Sequence, residues 1–523
     1  MRVVSRREAV ELVQDGDALW IGGSGAGHAV PQAFIDSLAE TFAEVGAPRG
    51  LTTVRVVGIG DFAEVGMSQL ALPGLHARTI TSNIGNEPRL GAMVRAGEIE
   101  AYSFPQGVLS ALCREMAAGR PGLVTDVGLG TYVDPRQTGG RQNSVTTTEL
   151  VEVVELAGRE WLFFPALPID VAVIRASTAD EDGNLTMEDE AVHGDSLALA
   201  MAAHNNGGLV IAQVARLAQR HSLKPRDVRI PGALVDFVMV EPFQSQTYAT
   251  TYSPYYAGQL RRPDPAATAV AGEVGMREII ARRSLLEFQR GDICNLGYGV
   301  SQLIGEIAAT EGITGDLTLT VEQGIFGGAP AGGPDGGAGV NFQAMLEQPS
   351  MFDFYDGGGL DIASLSFAEI DAEGNVNVHE FDDRPRGPGG FINIANRTGR
   401  LNFVGSLTAR GLRTRVVEGT LQIEQEGSQQ KLVPRVRQIS FSAARAREKG
   451  QHVTYITERA VFVLGEEGLV LTEIADGVDL ESDVIAQMGF QPHVSPDLKR
   501  IDPRVFRSGR MGLAADFARE ATT

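Results

Sequence analysis

Two passages of this chain repeat each other's logic, and that repetition limits the fold more than any other feature. Asp15-Gly-Asp-Ala-Leu-Trp-Ile-Gly-Gly23 and Arg290-Gly-Asp-Ile-Cys-Asn-Leu-Gly297 each read as a turn, a buried strand and a glycine exit. Ile174-Arg-Ala-Ser-Thr-Ala-Asp-Glu-Asp-Gly-Asn-Leu-Thr186 and Leu365-Ser-Phe-Ala-Glu-Ile-Asp-Ala-Glu-Gly-Asn-Val-Asn377 each read as a strand that turns through acid-Gly-Asn and starts another, as a hairpin does. Around these passages, short β-branched runs alternate with longer amphipathic ones, the pattern of α/β architecture. Strands are expected over 18–22, 51–58, 171–176 and 208–214, with a helix over 31–45. Proline and tyrosine accumulate between about 241 and 271 (Tyr248, Tyr252, Tyr255, Tyr256, Pro263, Pro265), which reads as the connection between halves. A chain of 523 residues can build more than one core. The expectation is two related open α/β domains, 1–260 and 261–523, with a cleft between them for a large ligand.

Charge removes several functions. The formal net charge of −21 opposes non-specific binding to nucleic acid or to an anionic membrane, since both need a cationic surface. A phosphorylated small molecule needs only a few local cations. With lysine confined to Lys224, Lys431, Lys449 and Lys499, phosphate contacts would fall to arginine or backbone amides. Cys113 and Cys294 are the only cysteines; they make no disulfide framework or cysteine zinc site, and they suit a reducing compartment. Cys294 reads as a small core residue. The N-terminal residues carry no signal-peptide apolar stretch, and no apolar run has the length of a membrane span. A soluble, cytoplasmic protein is expected.

The 63 glycines exceed the usual share of about 7%, and they cluster in loops where a ligand could approach the backbone. Gly22-Gly-Ser-Gly-Ala-Gly-His28 follows a strand, but His28 stands where a dinucleotide fingerprint needs its last glycine. A loop admitting some anion to a helix N-terminus is the better reading. Ser24 fails as a nucleophile elbow because Ala26 occupies the required glycine position. Asp180-Glu-Asp-Gly-Asn184 has its glycine too early for a calcium loop. The eight histidines show no metal-ligand spacing, so no metal is expected.

Thr320-Val-Glu-Gln-Gly-Ile-Phe-Gly-Gly-Ala-Pro-Ala-Gly-Gly333 carries the strongest chemical signal. Glu322 follows the alternating segment Asp316-Leu-Thr-Leu-Thr-Val321 and precedes a turn with little side-chain bulk. A carboxylate there can be approached closely by a large ligand, and the loop exposes backbone N–H groups to a developing oxyanion. Glu322 is therefore a candidate nucleophile, or else a carboxylate that caps backbone amides. Two further glycine-bearing polar segments are Tyr102-Ser-Phe-Pro-Gln-Gly107 and Arg386-Gly-Pro-Gly-Gly-Phe-Ile-Asn393.

Taken together, these segments resemble the class I CoA-transferases, particularly the single-chain acetate/propionate type, also called acyl-CoA:acetate/3-ketoacid CoA-transferases. Thr320–Gly333 fits that family's (S/T)-V-E-(S/Q)-G-x-x-G-G-x-P-A-G-G motif throughout. Phe104-Pro-Gln-Gly-Val108, Val127-Gly-Leu-Gly-Thr-Tyr-Val-Asp-Pro135, Thr178–Asn184, Phe352-Asp-Phe-Tyr-Asp-Gly-Gly-Gly359, Gly387-Pro-Gly-Gly-Phe-Ile-Asn-Ile394 and Thr457-Glu-Arg-Ala-Val-Phe462 also look like this subgroup and run in family order. Ser24 after Gly23 and Gln32 after Pro31 depart from the usual pattern, which bears on acyl preference. The resemblance implies ping-pong transfer of CoA from an acyl-CoA to a short-chain carboxylate through a glutamyl-CoA thioester on Glu322. It implies that the Gly390 N–H serves the oxyanion and that Gln106 positions the acyl carbonyl. Gly23, Gly25, Gly327, Gly328 and Gly389 would line the path of coenzyme A, which is substrate rather than resident cofactor. It also implies a homo-oligomer, dimer or tetramer. An acyl-CoA hydrolase on the same scaffold and a non-catalytic acyl-CoA-binding protein are the alternatives.

Overall fold

The computed structural model describes residues 1–263, 274–381 and 384–520. The chain forms two compact units: one comprises Met1–Arg262, Val321–Asp353 and Phe381–Asn393, the other Pro263–Thr320, Phe354–Glu380 and Ile394–Thr523. The division differs from the single cut expected after residue 260. Glu322 and the Gly389–Gly390 turn group with the first half of the chain, for reasons that the hydrogen bonds below make plain. The end of the expected connection, 264–271, lies outside the described residues.

In the first unit a parallel path runs through β1 (Arg2–Val4), β2 (Ala18–Ile21), β3 (Leu51–Val54), β4 (His76–Thr81), β5 (Glu100–Ser103), β6 (Val171–Asp180), β7 (Leu209–Ala218) and β8 (Phe237–Val240). Its spatial order is β1-β8-β7-β6-β2-β3-β4-β5, and every neighbouring pair is parallel. Strands covered on both faces read as unbroken apolar runs. β2, Ala-Leu-Trp-Ile, is buried throughout, and so is all of β6. The helix Gln32–Val45 buries Phe34, Ile35, Leu38 and Phe42, the spacing of one helical face.

β6 and β7 run further than the sequence suggests because they pair in register as far as Ala218 and Asp180. β3 stops at Val54, short of the expected end at 58. There Arg55 turns inward to a fully buried ion pair with Glu87, and the same carboxylate accepts the Ile59 N–H at 2.7 Å. The 56–60 loop is thereby shaped by a charge pair and not by the sheet.

In the second unit a parallel path, part of a larger mixed sheet, runs through β9 (Ile293–Leu296), β10 (Thr318–Val321), β11 (Ile362–Ser366), β12 (Arg400–Val404) and β13 (His452–Ile456), ordered β10-β9-β11-β12-β13. The first unit has the same connectivity, with β2 lying between β3 and β6, then β7 and β8. The two acid-Gly-Asn turns also match atom for atom. Asp180 Oδ1 accepts the N–H groups of Asp182 and Asn184 at 3.0 and 2.9 Å. Asp371 Oδ1 accepts those of Glu373 and Asn375 at 3.1 and 2.9 Å. Both carboxylates are occupied by their own turn, so the calcium-loop likeness is that of a hairpin. Among the described residues no helix is long and apolar enough to cross a membrane, and no cluster of side chains is suited to a metal ion.

Because β2 to β5 are parallel, the loops at 22–28, 56–60, 82–85 and 104–107 all leave from one edge of the sheet, where open α/β sheets bind ligands. Replacing Arg55 with leucine leaves Glu87 buried without its partner. We expect a loss of about 3–5 kcal/mol, measured as a lower denaturation midpoint for Arg55→Leu.

Candidate active site

The segment 321–353 carries Glu322 and is hydrogen-bonded to the rest of the first unit at Asp335, Gly336, Asn341 and Gln348. Gly324 N–H closes a turn on Val321 O at 2.9 Å, and Gly324 O accepts Leu346 N–H at 2.7 Å. This presents Glu322 on a tight turn at the C-terminal end of β10, with one carboxylate oxygen 3.4 Å from Gln323 Nε2. At Gly324 φ is +117°, and a Cβ would stand 2.1 Å from Leu346 O. Only glycine fits there.

Further along, His28 Nε2 lies 2.9 Å from Gly336 O. A carbonyl only accepts, so the imidazole proton is on Nε2. Burial pushes the His28 pKa down and keeps the ring neutral. Asp335 gathers three hydroxyls from the tyrosine-rich stretch: Thr247 at 2.5 Å, Thr250 at 2.9 Å and Tyr256 at 3.2 Å. Tyr248 reaches back to the first loop, its N–H on Ala26 O at 2.8 Å and its hydroxyl on Gln32 Oε1 at 2.9 Å. The far end of the segment meets the 104–107 loop, where Gln106 Nε2 donates to Gln348 Oε1 at 3.3 Å.

Residues 386–393 thread the same edge. Arg386 O accepts the N–H groups of Ile84 and Gly85 at 2.7 and 2.9 Å, and Gly389 N–H bonds Ser82 O at 3.1 Å. Gln106 N–H bonds Gly389 O at 3.0 Å, and Asn393 Oδ1 accepts Gly107 N–H at 3.0 Å. Gln106 is the first residue of helix Gln106–Ala117 and only 1% exposed. The structure thus puts Gln106 in direct contact with Gly389, next to the buried Gly390, and links both to the Glu322 turn through Gln348 and Leu346.

The glycines of the expected CoA path fall into two groups. A Cβ on Gly23 would lie 2.6 Å from Val30 Cγ2, one on Gly327 2.7 Å from Gln343 Cγ, and one on Gly328 2.2 Å from Val340 O. The protein's own packing demands those three. Gly25 faces nothing within 4 Å, and Gly389 only Gln106 Oε1 at 3.6 Å, which leaves room for a ligand beside these two. Ser24 is buried, and its hydroxyl has no hydrogen-bond partner among the described residues.

Sequence reasoning missed Gln348, Asp195, Asn393 and the buried pair Arg175–Glu190, whose guanidinium also reaches Val30 O at 3.3 Å. Asn393 lies within the 387–394 motif and Gln348 shortly before the 352–359 one, yet nothing in their spacing says that they meet residues 107 and 106. Cys113 and Cys294 are both buried, and burial pushes their thiols up, the state of inert core cysteines.

Residues 3–241 match the family model described as coenzyme A transferase. The chain is 43% identical over 512 residues to the acetate CoA-transferase YdiF of Escherichia coli O157:H7, covering 98% of this chain and 96% of that protein. The chain belongs to the coenzyme A transferase family. It is a CoA-transferase working between an acyl-CoA and a carboxylate. It is also 42% identical to the caffeate CoA-transferase of Acetobacterium woodii, over 98% of each chain. The crystal structure of the YdiF acyl-CoA transferase of E. coli O157:H7, in a thioester complex with CoA, superposes with a TM-score of 0.93 at 42% identity, covering 98% of this chain and 97% of that one.

Within this transferase, Gly324→Ala should displace the Glu322 turn while leaving the sheets intact. A misplacement of about 1 Å can lower turnover about 100-fold. We expect a loss of that order in CoA transfer with an unchanged circular dichroism spectrum.

Proposed function

We propose that Glu322 is the nucleophile and that transfer is ping-pong. The observation that carries this reading is the placement of Glu322: a carboxylate on a strand-end turn, in a segment hydrogen-bonded to the Gln106–Gly389 corner. The thioester with CoA named for the YdiF crystal structure supports a covalent route. A Glu322 oxygen attacks the thioester carbonyl, the C–S bond breaks, and an acyl-glutamyl anhydride and CoA thiolate result. The thiolate attacks the glutamyl carbonyl, and the first carboxylate leaves a glutamyl-CoA thioester behind. A second carboxylate then enters and the steps run in reverse.

Thiolate is a good leaving group, so no strong general acid is needed. The need is for preorganised donors around each tetrahedral intermediate, each worth about 3–4 kcal/mol. Gly390 N–H is the proposed oxyanion donor, and Gln106 the residue that positions the acyl carbonyl. Gly25 and Gly389 border the proposed path of the pantetheine arm. Relatives named for acetate and for caffeate lie at 43% and 42% identity, so overall similarity does not choose the acid. We propose a short-chain acid, with the first loop around Ser24 and the Tyr248–Tyr256 stretch setting the preference. We also propose a cytoplasmic homo-oligomer.

Intact-protein mass spectrometry after mixing with acetyl-CoA, without acceptor, should show a CoA adduct in the wild type. Hydroxylamine or acetate should remove it, and Glu322→Ala should not form it. An adduct on the Glu322→Ala protein would sink the assignment. The hydrolase alternative predicts free CoA thiol from acetyl-CoA and water alone; we expect no such release, and a new acyl-CoA only when a second carboxylate is added.

Contacts to the distant nucleotide part of CoA can offset distortion at the reacting centre. Truncated pantetheine thioesters should therefore lose kcat as well as affinity. Equal maximal rates for full and truncated thioesters would remove remote binding energy from the mechanism.

A further inference from the structure

Four buried polar side chains form a closed ring behind the acyl corner. Gln106 Nε2 donates to Gln348 Oε1 at 3.3 Å, and Gln348 Nε2 donates to Asp195 Oδ2 at 2.8 Å. Ser110 donates its hydroxyl to Asp195 Oδ1. Ser110 lies one turn beyond Gln106 on helix Gln106–Ala117, so the two share a face and the helix closes the ring. The ring is shut off from water: Gln106, Ser110, Gln348 and Asp195 are exposed by 1%, 0%, 0% and 3%. Asp195 is the N-cap residue of helix Ser196–Asn205, yet its side chain makes no cap hydrogen bond. A carboxylate at that position ordinarily satisfies the first turn's N–H groups. Here both of its oxygens are spent on the ring.

We propose that Asp195 is a positioning residue, whose ionised carboxylate sets the polarity of the ring and so fixes which way the Gln106 carboxamide faces. An ionised carboxylate only accepts. Gln348 must therefore offer Asp195 its NH₂ group, which turns Gln348 Oε1 towards Gln106. Gln106 then offers Nε2 and leaves Oε1 on the Gly389 side, 3.6 Å from where a Cβ on that glycine would stand. A protonated Asp195 puts an O–H where Gln348 now donates, and both amides can then reverse. The inference rests on the role proposed for Gln106.

The surroundings put this ionisation near neutrality. Burial pushes Asp195 up to about 7; the Ser110 hydrogen bond opposes the rise and the charge of Glu347 adds to it. Glu347 is itself pushed up to about 7 by burial, against the pull of Arg229. Cys113 also faces Asp195, whose charge adds to the rise of the buried thiol. Gln348 is held independently by its backbone N–H on Gly194 O at 3.0 Å.

The test is kcat for acyl-CoA-to-acetate transfer as a function of pH. The ionised form is the ordered one, so wild-type kcat should rise with pH through an acid limb near 7. Ser110→Ala removes a bond that favours ionisation and should move that limb to higher pH. Glu347→Gln removes a like charge and should move it lower. Asp195→Asn should abolish the limb and lower kcat by about tenfold or more with KM little changed. Should Asp195→Asn fail to fold, the opposite shifts of the other two variants still decide the matter. Full kcat in Gln106→Ala would overturn the proposal through the role of Gln106. An impaired Gln106→Ala beside unmoved limbs in Ser110→Ala and Glu347→Gln would overturn the ring alone.

Discussion

The site depends on one constraint: residues 321–353, which follow β10, group with the first half of the chain and are hydrogen-bonded to it at Asp335, Gly336 and Gln348. A strand-end carboxylate is common; what matters is the company it keeps. Each fastening of that segment involves a group that is buried or held twice. Gly336 O receives a buried imidazole, Asp335 receives three hydroxyls, and Gln348 is held by both side chain and backbone. Arg114 adds a two-pronged ion pair to Asp353 at the segment's end. That last pair is exposed and contributes little, in the range of about 0–1 kcal/mol. The buried bonds carry the geometry because leaving any of their members unmade costs about 1–3 kcal/mol.

The buried charges at the ligand edge follow the same principle. Arg55–Glu87 and Arg175–Glu190 are buried where apolar residues could give equal or greater stability. Their distinguishing feature is what else they hold. Glu87 takes the Ile59 N–H, and Arg175 takes the Val30 carbonyl. Each pair orders a loop backbone that no sheet ladder reaches. These loops flank the 22–28 turn, where Gly25 leaves open space. Directional, desolvated charges therefore do the positioning where ligand access rules out packing.

Much of this was legible in the sequence, for a physical reason. The α/β character and the doubled topology rest on local patterns: buried parallel strands are apolar runs, and acid-Gly-Asn turns satisfy their own backbone. Both patterns survive without any knowledge of the partner strand. Glu322, Gln106 and the Gly389–Gly390 turn were legible through motifs. The strand ends were less so, because Val54 and Ala218 are set by an ion pair and by sheet register, and neither leaves a mark within a few residues. The grouping of 321–353 with the first half was not legible at all. It is written in contacts more than 80 residues apart, such as Thr247–Asp335 and Gln106–Gln348. A family motif marks Gly23, Gly327 and Gly328 without saying whether ligand or protein needs the missing Cβ; the protein's own packing already leaves no room for one at these three.

The chemistry explains why the site holds so few acid–base groups. Exchange of one thioester for another through an anhydride transfers no proton that must be relayed in the transition state, so an enzyme for it needs position and dipoles more than titrating groups. The nearby imidazole fits that demand: His28 is neutral, buried and committed to a carbonyl, which makes it a strut. Where a carboxylate does sit near its titration point, at Asp195, it lies behind the corner and reaches the acyl group only through amides. An amide chain conveys orientation without conveying a proton. That separates the titrating carboxylate from the thioester.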